Sequence, residues 1–82
     1  MVVVHRAHGF RFIIYVQDHE PAHVHVGGSG QAKIQLIGAD GLPRLIYSAG
    51  MKGSDERKVL REVSDRQLPL LREWKRIHGG QD

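Results

Sequence analysis

Between Phe10 and Val16 apolar and polar residues alternate, with Phe10, Phe12, Ile14 and Val16 on one side and Arg11, Ile13 and Tyr15 on the other. A period of two predicts a strand with one face in a core. The alternation returns at Ala22, Val24 and Val26, interleaved with His23 and His25, and again at Ala32, Ile34 and Leu36. Val2 to His5 adds a short β-branched strand at the start, and Pro43 to Ser48, with Leu45 and Tyr47 on one side, a fifth. Turn-forming residues separate these segments: Ala7-His8-Gly9, Gln17 to Pro21, Gly27-Gly28-Ser29-Gly30 as a flexible hairpin tip, and Ala39-Asp40-Gly41. Strands joined by such short turns pair antiparallel. Residues 1–49 therefore predict an antiparallel β-meander of four to five strands.

After Gly50-Met51-Lys52-Gly53 the apolar spacing lengthens to that of a helix. Ser54 is placed to cap a first helix, Asp55 and Glu56 suit the positive end of its dipole, and Val59, Leu60 and Val63 form its apolar stripe. Ser64 with Gln67 makes a capping-box pattern for a second helix, whose apolar side is Leu70, Leu71, Trp74 and Ile77 and whose end is Gly79-Gly80. Pro69 is tolerable only in a first turn, which moves the expected start toward Leu68. Residues 54–78 thus predict a C-terminal helical hairpin. The whole reads as one α+β domain, residues 1–82, with two layers and the helices over one face of the sheet.

Composition narrows this picture. With 82 residues and no cysteine, the chain has neither a disulfide framework nor a thiolate zinc site to help it fold. The longest apolar runs, Met1 to Val4 and Phe12 to Val16, are too short to span a bilayer, and the first of them lacks the features of a secretory signal. A cytoplasmic protein without membrane attachment is the expectation. The formal charge is +3, and the basic residues gather after position 43, while Arg6, Arg11 and Lys33 are the only ones before it. Acidic partners are favoured but not required.

Several stretches together resemble a known family. They are His8-Gly9-Phe10-Arg11-Phe12, Asp18-His19-Glu20-Pro21-Ala22-His23-Val24-His25-Val26, Ala32-Lys33, Gly50-Met51 and Leu70-Leu71-Arg72-Glu73-Trp74. The family is that of small prokaryotic proteins called domain of unknown function 4160. Ala22 stands where the family usually has a second proline, which loosens the approach to the strand. The resemblance carries over no catalytic residues. It implies a neighbouring small protein as partner, in pairs proposed as toxin-antitoxin-like modules.

Four constellations carry candidate chemistry. His23 and His25 project from the same face of a strand, their Cα atoms about 7 Å apart, a common way to supply two ligands to a divalent transition metal. His19 is the candidate third ligand, and Asp18 or Glu20 could add an oxygen or orient a ring. His23 and His25 are also candidate catalytic residues, acting as base and acid on a phosphodiester. On the helices, Arg57, Lys58 and Arg61 fall opposite one apolar stripe and Arg72, Lys75 and Arg76 opposite the other, two basic backs that could meet nucleic acid. Ile13, Tyr15, His23 and His25 share a mixed surface suited to a protein partner or a second copy of the chain.

The function expected from these features is a small interaction module of toxin-antitoxin type, acting through a protein partner and, in part, nucleic acid, with no cofactor. The alternative is a histidine-based metal-binding or phosphodiester-cleaving enzyme centred on His23 and His25.

Overall fold

A computed structural model describes residues 1–79. Five strands, β1 (Val2–Ala7), β2 (Phe10–Ile14), β3 (His23–Gly28), β4 (Gly30–Gln35) and β5 (Arg44–Ala49), form one antiparallel sheet in sequence order. Two helices follow, α1 (Gly53–Asp65) and α2 (Gln67–Ile77). The expected α+β architecture is the one observed. No helix among the described residues is long and apolar enough to cross a membrane.

One face of the sheet is the core. Phe12, Ile14, Val24, Val26, Ile34 and Leu36 meet Val59 and Val63 of α1 and Leu70 and Trp74 of α2. These are the positions picked out by period two in the strands and period 3.6 in the helices. The other face carries Ile13, His23 and His25 and is covered in part, with Trp74 of α2 reaching His23.

The turns depart from expectation in instructive ways. β1 runs on to Ala7, and His8-Gly9, with φ of 56° and 79°, closes a two-residue hairpin of the kind that needs two left-handed residues. At the next hairpin the glycines are packing residues as much as a flexible tip. Gly30, at φ +116°, lies so near Gly50 that a Cβ would sit 2.6 Å from that carbonyl oxygen, and a Cβ on Gly28 would meet the Phe10 ring at 2.7 Å. β2 stops at Ile14, short of the expected Val16, which is 55% exposed. The Asp18 carboxylate accepts a hydrogen bond from Tyr15 N–H at 3.0 Å, and Asp18 N–H donates to Tyr15 O, so the chain turns before Val16 can join the ladder.

Neither helix uses its expected cap. α1 starts at Gly53 after Lys52, with no side-chain cap, although Asp55 and Glu56 do occupy its first turn. Gln67 forms no capping box with Ser64. Its amide instead donates to Leu36 O at 2.8 Å and Gly41 O at 2.9 Å, two carbonyls that the end of β4 and the following loop would otherwise leave unpaired. Pro69 occupies the first turn of α2, which begins at Gln67, one residue ahead of Leu68. Its ring would clash with the carbonyl of residue 65 in a continuous helix, so the break falls at Arg66. The expected stop at Gly79-Gly80 is seen at Gly79, with φ of 83°; Gly80 lies outside the described residues.

Candidate metal centre

His23 and His25 project from the sheet face opposite the core. Strand alternation fixes both on this side, since Val24 and Val26 point into the core. Antiparallel register then sets their neighbours: His25 lies across from Ile13 of β2 and Lys33 of β4, and His23 across from Gln35. A bulge in β5 adds Ile46 to the wall. With the loop of residues 17–21 as its rim, the face forms an open cleft of about 430 Å³.

Asp18 closes the constellation. The turn that ends β2 swings its carboxylate over the start of β3, where Oδ2 lies 3.4 Å from His23 Nε2 and 3.4 Å from His25 Nε2. Three ligand atoms from Asp18, His23 and His25 all lie within 4.8 Å of one another. His19 lines the cleft but is outside this group, so the third member is the aspartate and not the histidine expected from the loop.

His23 is held firmly. It is only 6% exposed, far less than a free sheet face would leave it. Its Nδ1 donates to Pro21 O at 2.9 Å, which leaves the Nε2 lone pair facing Asp18 and His25. The ring rests against Trp74, 5.2 Å between centroids, and the indole Nε1 donates to Glu20 Oε2 at 3.0 Å. Glu20 thus pins the loop to α2 and is not turned toward the cluster. On its other side Trp74 stacks on His78 at 3.9 Å.

His25 has a different environment. Tyr15 meets it edge-on at 4.9 Å and His23 at 5.0 Å. Its Nε2 is buried and, among the described residues, has no hydrogen bond shorter than the 3.4 Å approach of Asp18 Oδ2. Burial, more than any charge, pulls its pKa below the ordinary histidine value, with His23 and Lys33 acting in the same direction and Asp18 against them. Burial would raise the Asp18 carboxyl. The Tyr15 N–H bond and the nearby His23 and His25 outweigh it and hold that group below its usual range.

The other expected site residues fall elsewhere. Ile13 is 5% exposed and Tyr15 half-buried, so of the four residues expected to face a partner, Ile13 and His23 are buried. Arg57, Lys58, Arg61, Arg72, Lys75 and Arg76 are all exposed on the helices, and Arg76 pairs with Glu73. The helices pack on the core face, so these cations are not gathered with the histidines. Trp74 as the support of His23 was not foreseen, and no local pattern could have found it. Lys33 opposite His25 could have been: counting outward from a turn at Ser29 pairs the two.

No curated protein and no solved structure matches the chain. The model of the family described as "Domain of unknown function (DUF4160)" matches residues 9–75, a span that includes all three members of the cluster and the tryptophan behind it, and the chain belongs to that family.

Proposed function

We propose that this chain is a metal-binding domain that holds one divalent transition-metal ion through Asp18 Oδ2, His23 Nε2 and His25 Nε2. The observation that carries the reading is the equal 3.4 Å approach of Asp18 Oδ2 to both imidazole nitrogens. Two ligand atoms each about 2.1 Å from a tetrahedral ion are themselves about 3.4 Å apart. Two edges of a ligand tetrahedron therefore already have their length. The buried His25 Nε2 meets Asp18 Oδ2 only at 3.4 Å, long for a hydrogen bond, and a metal ion between them would satisfy both atoms.

The donor set of two imidazoles and one carboxylate suits zinc, iron, cobalt or nickel better than calcium or magnesium. Three protein ligands leave at least one position toward the cleft, the arrangement of catalytic rather than structural centres. The reaction class that fits is hydrolysis by metal-activated water. An interaction module built on Ile13 and His23 has less support, because both are buried.

Zinc titration followed by calorimetry tests the reading. One equivalent is expected to bind wild type, with binding lost in His23→Ala and His25→Ala. Zinc-dependent hydrolysis of a p-nitrophenyl ester or phosphodiester, absent in Asp18→Asn, is the matching activity. A wild-type chain that takes up no zinc, cobalt, nickel or iron refutes it.

A further inference from the structure

Two cations flank the cluster on the same open face. Lys33 stands directly across from His25 in the register of β3 and β4. The Arg11 guanidinium lies over Gly27, the next residue of β3 on that face, where a Cβ would come within 3.2 Å of Nη2. Gly27 thus leaves room for Arg11 to lie along the strand that carries both histidines. Among the described residues, neither Lys33 nor Arg11 forms a salt bridge.

The carboxylates bordering the cleft are Asp18 and Glu20. Asp18 belongs to the cluster, and Glu20 accepts the Trp74 indole hydrogen. A divalent ion held by a single carboxylate keeps a net positive charge, to which Lys33 and Arg11 add. The space around them is shaped for something small. The cleft of about 430 Å³ over His23 and Lys33 adjoins a pocket of about 150 Å³ over Arg11 and Tyr47, and His25 borders both. Such volumes suit a small molecule more than a polymer.

We infer that the site takes a small-molecule ligand bearing an oxyanion, one oxygen entering the open metal position and the others meeting Lys33 and Arg11. This rests on the metal reading above. Charge-assisted hydrogen bonds from a lysine and a forked guanidinium are the usual means of holding such a group.

The test uses the full chain loaded with cobalt(II), whose visible absorption reports its coordination. Cobalt titration comes first, and the absence of a visible band overturns the metal reading and this inference with it. Inorganic phosphate and acetate are then titrated into the cobalt form. A band shift that saturates is expected for at least one of them, and the tighter binder assigns the source as a phosphate or a carboxylate group. Lys33→Gln and Arg11→Gln are expected to weaken that binding about tenfold each without weakening the binding of cobalt itself, since each removes a positive charge that the ion would otherwise face. A normal cobalt spectrum that neither anion alters, or variants that bind the anion as wild type does, overturns the inference and leaves the metal reading standing. A short single-stranded oligonucleotide that displaces cobalt-bound phosphate at lower concentration than a mononucleotide overturns the small-molecule assignment.

Discussion

Zinc should raise the melting temperature of this chain, and by an amount that depends on Asp18. An ion that binds only the native state contributes about 2.7 kcal/mol when present at a hundredfold excess over its Kd. In a domain of this size, about 1 kcal/mol moves the midpoint by about 4–8 °C, so the expected rise is about 10–20 °C. Any zinc held by histidines of the unfolded chain lowers that figure. Asp18→Asn keeps the side chain's shape and an oxygen for Tyr15 N–H, 3.0 Å away, but removes the charge from the atom that lies 3.4 Å from both imidazoles. A hundredfold loss of affinity is worth about 2.7 kcal/mol, enough to erase most of the shift. His19→Ala should retain the full shift, since that ring is outside the cluster. Circular dichroism melts in zinc and in chelator measure all three. The reasoning fails if zinc leaves the wild-type midpoint unmoved, if Asp18→Asn gains as much as wild type, or if His19→Ala loses the effect.

Other expectations follow from the supporting structure. Trp74→Phe removes the bond to Glu20 that pins the loop carrying Pro21 O, the acceptor for His23, so urea melts should show a loss of about 1 kcal/mol and calorimetry a zinc affinity about tenfold weaker. Gly30→Ala places a Cβ 2.6 Å from Gly50 O at a φ of +116° and should cost about 2–3 kcal/mol in the same melts. Glu62 is held below the usual carboxylate range by hydrogen bonds from Arg66 and then from His5, at 2.9 and 2.6 Å. A depressed folded pKa gives stability that is complete above the unfolded value and lost as pH falls toward the folded one. Stability of wild type should therefore decline on acidification through the carboxylate range. Glu62→Gln should lower it by up to about 1 kcal/mol at neutral pH, the range of solvent-screened pairs, and flatten that decline; an unchanged profile would count against the contact.

The sheet was legible because its information is local. Alternation at Phe10 to Ile14, Val24 to Val26 and Ala32 to Leu36 names the core face without reference to any partner, and short polar turns leave a meander as the natural order. The same alternation put His23 and His25 side by side. Helix caps were less legible, since Ser54, Ser64 and Gln67 offer local hydrogen bonds that compete with distant ones. Gln67 took the carbonyls of Leu36 and Gly41 instead.

The sequence by itself thus determined the order of the strands, the core face of β2 to β4 and the pair of imidazoles, but not the faces in β5, where the bulge leaves Leu45 on the core and turns Tyr47, expected on the same side, toward His25. Only the tertiary structure decided what joins that pair. Asp18, His19 and Glu20 stand together in one polar loop, and their spacing gives no preference among them. The turn at Tyr15 sends Asp18 over the strand, while Trp74, 54 residues beyond Glu20, draws that acid away to α2. His23 is buried for the same reason: alternation assigns a face, but whether that face meets water depends on which distant residues fold back over it.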